Sequence, residues 1–325
     1  MHGSSQVEEL RTEARMEAAR AALETALSTQ GVETANKDTL CAMAVQAAVQ
    51  DGVDANTQAE AASGEVPRER WLSVAAKEGL VETLRALAAA GAELNHATRD
   101  GRTALYGAAV SGHVVALRVL LEAGAEVNHA NNKGSTALFG AAWTGHAEVI
   151  RALLAAGAAV KHVNNDGRTA LHLAAQKGHA EVIRLLAAAG AEMNLASFKG
   201  HTALDGAAEY GQEEAIRALV AAGSEVNHAE NAGWTALHHA AYKGHAHAIR
   251  ALVEVGVEVD HARNDGCTAL HEAAENGRVE AILALVAAGA ALNRADNEGR
   301  TPLAAARAND QEEAALALVQ AGATE

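Results

Sequence analysis

Aromatic side chains are scarce in this chain: three tryptophans, three tyrosines and two phenylalanines serve 325 residues. A large aromatic core is therefore excluded. The two cysteines, Cys41 and Cys267, stand far apart in no metal-binding spacing. They give no disulfide framework and fit a reducing, intracellular (cytoplasmic) setting. No apolar run is long enough to span a bilayer, so membrane insertion is not expected. The N-terminal stretch lacks a secretory hydrophobic core, and its glutamates argue against a transit peptide. Positive charge is also in deficit. The formal net charge of −15 opposes non-specific attraction to nucleic acid and to anionic membrane surfaces.

What is abundant is alanine, and it recurs with a period. Gly101, Gly134, Gly167, Gly200, Gly233, Gly266 and Gly299 follow one another at 33-residue intervals, and a divergent copy begins at Arg68. Four residues after each origin stands a leucine, from Leu72 and Leu105 through to Leu303. Another leucine column runs from Leu87 to Leu318, and a glycine column from Gly91 to Gly322. Self-similarity at this spacing marks a repeat architecture rather than several globular domains.

The physics of one unit is legible around residue 170. Thr169 can cap a helix beginning at Ala170. That helix runs Leu171-His172-Leu173-Ala174-Ala175 and stops at Gly178. Its paired alanines let a neighbouring helix approach closely. A second helix carries Val182, Ile183, Leu185 and Leu186 as an apolar stripe and ends at Gly190. An extended link into a tight turn completes the unit. One such unit cannot bury its own apolar stripe, but stacked units cover one another. The expected fold class is all-α: a solenoid of helix-turn-helix units with turn tips, elongated and curved.

Thr169-Ala170-Leu171-His172-Leu173-Ala174-Ala175 and Thr235-Ala236-Leu237-His238-His239-Ala240-Ala241 resemble the signature of the ankyrin-repeat family. The Gly-His pairs at Gly112-His113, Gly145-His146, Gly178-His179 and Gly244-His245 are similar to that family's, as are the Gly-Ala-x-x-Asn segments from Gly91, Gly124 and Gly190. The resemblance covers residues 68–325 and implies eight repeats. Departures exist: only Pro302 keeps the family's proline, and Tyr106, Phe139, Asp205 and Ala304 replace its histidine. The last repeat carries Arg307 and Asp310 where inner repeats have alanine and glycine, which suits a capping face. Residues 1–67 break the period. They read as a helix over Glu8 to about Ser28, a second helix over about Thr39–Gln50 capped by Asp38, and a linker over 54–67. Such a region is either a helical cap on the first repeat or an independent arm.

The resemblance implies a non-catalytic scaffold that binds a partner protein or peptide in the groove formed by turn tips and first helices, and that is monomeric on its own. Seven of the aromatics fall in or beside variable columns: Tyr106, Phe139, Trp143, Phe198, Tyr210, Trp234 and Tyr242. Exposed Trp and Tyr anchor interfaces. Together with His239 and the rim charges Arg168, Lys177 and Lys243, these residues form the expected partner site. The bland alternative is gap filling, strongest for Tyr106 and Phe139, whose column normally holds a half-buried histidine. Gly107, Gly140 and Gly206 lie inside first helices, either opening the groove floor or relieving the packing of the large rings.

Catalysis and metal binding are not expected. Twelve of sixteen histidines fall in repeat columns, and copies one repeat apart are too distant to share an ion. His238, His239, His245 and His247 are dense, but Gly244 interrupts the helix between them. No phosphate loop or nucleophile elbow is present, and no cofactor is implied. Cys267 stands at a turn tip without an obvious base. A competing reading makes the chain a structural subunit or spacer that contacts its assembly through residues 1–67.

Overall fold

The computed structural model describes Asp38, Thr39, Ala42, Met43 and residues 68–324. The helices expected over Glu8–Ser28, most of the one over Thr39–Gln50, and the linker over 54–67 lie outside the described residues. Two compact units divide the chain, one ending at Ala159 and one beginning at Val160. Among the described residues no strand forms; one isolated bridge joins Ala262 and Thr268.

The first unit contains α1 (Arg68–Glu78), α2 (Val81–Ala89), α3 (Ala104–Ser111), α4 (Val114–Glu122), α5 (Ala137–Thr144) and α6 (Ala147–Ala155). First helices stack in the order α1, α3, α5, and second helices stack behind them as α2, α4, α6. The second unit contains α7 (Ala170–Gln176), α8 (Ala180–Ala188), α9 (Ala203–Glu209), α10 (Glu213–Ala221), α11 (Ala236–Lys243), α12 (Ala246–Glu254), α13 (Ala269–Glu275), α14 (Val279–Ala287), α15 (Pro302–Ala308) and α16 (Glu312–Gln320). Within it the odd-numbered and even-numbered helices again form two parallel layers. The leucine columns and the paired alanines are fully buried between these layers. Alanine pairs let the short first helices pack at close range, while the branched residues of the second helices fill the space behind.

Three polar ladders tie neighbouring repeats within the units. An asparagine that follows a helix pair accepts from a backbone N–H one repeat on: Asn95 from Glu126, Asn128 from Ala159, Asn194 from Glu225 and Asn227 from Glu258, each at 2.8 Å. The Gly-His histidine reaches the carbonyl of the preceding first helix, His146 to Val110 at 3.1 Å and His245 to Glu209 at 3.0 Å. Gly112 makes that approach possible, because a Cβ there would stand 2.7 Å from the His146 ring. Gly124 ends α4 for a different reason: its φ is +99°, with open space around it, so conformation alone selects glycine.

The third ladder is a buried capping box. Thr169 N–H donates to Nδ1 of His172 at 3.1 Å, and Nε2 of the same ring lies 3.1 Å from the carbonyl of His201. Since a backbone N–H can only donate, Nδ1 is the acceptor and Nε2 carries the proton. His238 repeats this between Thr235 and Cys267, and His271 between Thr268 and Arg300. Burial holds His172 down at about 4 and His238 at about 3. Asp205 occupies the same column in its repeat and accepts from Thr202 N–H and Oγ, both at 2.8 Å. Burial pushes its carboxyl above the usual range.

Asp38 differs from its expected role. It is itself helical, and its carboxylate accepts from the N–H groups of Glu82 and Thr83 at 2.9 and 2.8 Å and from the Thr83 hydroxyl at 2.8 Å. It therefore caps α2, whose own N-cap residue, Leu80, has no side chain able to do so. At the other end, Arg307 is exposed, and Asp310 keeps the left-handed conformation of the glycine it replaces, with φ +56°.

Candidate functional site

In the second unit, Trp234 enters the turn before α11, and His239 and Tyr242 follow on the helix itself. The Trp234 ring lies 5.0 Å from His239 and 5.8 Å, edge to face, from Tyr242. Tyr242 is 38% exposed. Lys243 Nζ sits 5.3 Å from the Tyr242 ring centre and 3.6 Å from a Glu209 carboxylate oxygen. The Arg263 guanidinium covers one face of Trp234 at 4.8 Å. In the preceding repeats, Tyr210 ends α9 half exposed, and Phe198 is 77% exposed at a turn tip. Phe198 is held there by its N–H, which donates to Asp166 at 3.0 Å, and by close approach to Gly167. Arg168 donates to Gln176 at 3.3 Å, and Lys177 is exposed at the end of α7.

The first unit places its expected site residues differently. Trp143 is 41% exposed on α5. Tyr106 is half-buried, with Arg102 stacked 5.4 Å from its ring centre. Phe139 is a correction: it is 1% exposed and belongs to the core. A phenyl ring has no polar end to keep in water, whereas the tyrosine hydroxyl favours a surface position in the same column. Gly140 resolves part of the glycine question. A Cβ there would stand 2.7 Å from Val110 Cγ2 and 3.4 Å from the Tyr106 ring, so this glycine makes room chiefly for Val110. Gly206 has open space around it.

His239 is more buried than an interface residue needs to be, at 8% exposure. Its Nε2 lies 3.0 Å from Glu230 Oε1, and His201 Nε2 lies 3.5 Å from Glu230 Oε2. The two rings are 4.9 Å apart. Histidines of one column are a repeat apart, but these two come from different columns that the stacking brings together. The sequence reading missed Glu230, His201, Arg263 and Glu272. Arg263 Nη1 sits 2.6 Å from buried Glu272, yet burial still pushes that carboxyl up to about 7. A signal was present in the column three before each turn glycine. Other repeats hold Thr98, Asn131, Asn164, Ser197 or Asp296 there, and Glu230 and Arg263 break it.

Cys267 lies buried behind its turn. It is 4% exposed, and burial raises its thiol to about 11, so it holds its proton and is a poor nucleophile at neutral pH. Among the described residues no helix is long and apolar enough to cross a membrane.

No curated protein matches the chain. The family model for ankyrin repeats (3 copies) matches residues 72–164, 152–230, 207–296 and 265–324. These overlapping matches run through the same helix pairs whose leucine, alanine and glycine columns form the two layers, and the chain belongs to the ankyrin-repeat family.

Proposed function

We propose that the chain is a non-catalytic binding module that takes a partner protein or peptide on the turn-and-first-helix surface of its second unit. The observation that carries this is the placement of Tyr210, Trp234 and Tyr242 on that surface, beside Phe198 at its turn tip. Large apolar rings left in water are selected against unless something covers them. Lys177, Arg168 and Lys243 supply a polar rim with basic character, which favours a partner segment bearing some negative charge. Trp143 occupies in the first unit the position that Tyr242 occupies in its repeat.

The test is quantitative partner capture from native extract with wild type and with Phe198, Tyr210 and Tyr242 replaced together by alanine. These three are the more exposed rings of the second unit, so the fold should survive their loss. Recovery should fall at least tenfold while circular dichroism stays unchanged. Undiminished recovery removes the aromatic surface as the site, and loss on truncation of residues 1–67 instead assigns the contact to that region.

A further inference from the structure

We propose that His201, Glu230 and His239 form a binding site for one divalent transition-metal ion of the zinc type. The site stands independently of partner binding. Its three donors come from two successive turns and one helix. His201 follows turn glycine Gly200, Glu230 opens the next turn, and His239 lies about one turn into α11. The two imidazole Nε2 atoms approach different oxygens of one carboxylate, at 3.5 and 3.0 Å. All three donor groups lie within 4.8 Å of one another. In a tetrahedral site with metal–ligand bonds of about 2.0–2.1 Å, neighbouring donor atoms stand about 3.3 Å apart. Both observed separations bracket that edge.

The electrostatics agree with the geometry. Glu230 is nearly enclosed, with a side chain 12% exposed, and its ion-pairing partners are two imidazoles. The nearby permanent cations are committed elsewhere: Lys243 to Glu209, and Arg263 to Asp265 and Glu272. Imidazole ligates a metal ion through a ring nitrogen lone pair. His201 remains a quarter exposed, which leaves the fourth position open to water.

The repeat supplies an internal comparison. Three sequence columns meet at this place: the residue after a turn glycine, the residue three before the next, and the residue six after that next glycine. One repeat further on, the same columns hold Trp234, Arg263 and Glu272. There the guanidinium itself occupies the cation position, 2.6 Å from Glu272 and stacked on Trp234. Asn131, Asn164 and Asp296 spend their side-chain oxygens on the N–H groups of their own turns. Glu230, one methylene longer, turns instead to the two histidines. Three departures from the repeat pattern thus converge on one set of N, N and O donors, which suits zinc.

The experiment is calorimetric titration of the metal-stripped full chain with Zn²⁺ at neutral pH, with Co²⁺ absorption as a reporter of tetrahedral N/O ligation. Wild type should take up one tightly bound ion per chain and unfold at a higher temperature when it is bound. Glu230→Gln and His201→Ala should each weaken binding by more than the roughly 10- to 100-fold that loss of an outer-shell partner costs. His201 is the safer position, since its partial exposure spares the fold. His247→Ala, at an 80% exposed histidine outside the triangle, should leave binding unchanged. Equal affinity and stoichiometry in wild type and either ligand variant overturns the assignment. So does failure of folded wild type to bind zinc below millimolar concentration.

Discussion

Acid should act on this fold through its buried capping histidines, and His238 isolates the effect. Its ring accepts from Thr235 N–H and donates to the carbonyl of Cys267, so both nitrogens are used in the neutral form. A second proton would set an N–H against an N–H in a fully buried site. The ordinary imidazole value is 6.5, and the folded value is about 3. Stability from this group is complete above pH 6.5 and is lost as pH falls toward the folded value, because only the unfolded chain binds the proton in that window. Between pH 7 and pH 5 the loss is about 2 kcal/mol. That figure is set by the unfolded value, since the folded ring is neutral throughout, and His172, at about 4 when folded, gives nearly the same result. Glu272 works the other way. Its folded value of about 7 against 4.5 unfolded means stability present at low pH and lost on going up, a gain of about 2 kcal/mol on the same descent.

Opposed terms make the wild-type profile a poor witness, so the informative quantity is a difference. His238→Gln keeps an acceptor and a donor but no titration. Urea unfolding followed by far-ultraviolet circular dichroism at pH 7 and pH 5 gives each protein's loss on acidification. Wild type should lose about 2 kcal/mol more than the variant, and Glu272→Gln should lose about 2 kcal/mol more than wild type because its compensating gain is gone. Parallel profiles for wild type and His238→Gln would refute the argument that a buried, doubly bonded imidazole resists the proton.

Three further outcomes follow from backbone positions. Gly140→Ala should destabilise the first unit by about 1–2 kcal/mol, because the new methyl meets Val110 at 2.7 Å and overpacking outweighs the helix gain. Gly206→Ala, in open space, should stabilise the second unit by up to about 1 kcal/mol; thermal unfolding separates the two, and equal effects would count against the packing argument. Asp310→Gly should stabilise the last repeat by about 1 kcal/mol, since a non-glycine residue there holds φ at +56°. Amide exchange in α16 reads this locally.

What could be read beforehand was whatever the chain repeats. Leu105 and Leu138, or Gly124 and Gly157, declare their roles because each copy faces the same neighbours, and the structure buries or bends each copy alike. Residues that occur once were harder. Tyr106 and Phe139 share a column, yet one stays half-buried and the other is sealed; Gly140 makes room for Val110 of the neighbouring helix, a contact no single column predicts. Asp38 has a cap's chemistry, but its target is 44 positions away, beyond any local pattern. His201 and His239 belong to different columns, and a search down single columns never pairs them.

The same distinction explains how one fold serves different sites. Stacking fixes the backbone at the three converging columns, so side-chain identity alone decides what they do. In one interval the columns hold His201, Glu230 and His239, an arrangement of ligating atoms. In the next, Trp234, Arg263 and Glu272 neutralise one another through an ion pair and a stacked guanidinium. In the one after, Cys267 donates to Asp296 across 3.8 Å, and Ala305 supplies no polar group. Arg168, Ser197 and Gly206 occupy the interval before, where the glycine leaves space that a side chain could fill. Because each repeat contacts only its neighbours, a substitution in one triangle changes that interval's chemistry without re-registering the stack. An array of this kind can therefore hold an aromatic surface and a charged triangle side by side, each set by residues that the repeat pattern leaves unspecified.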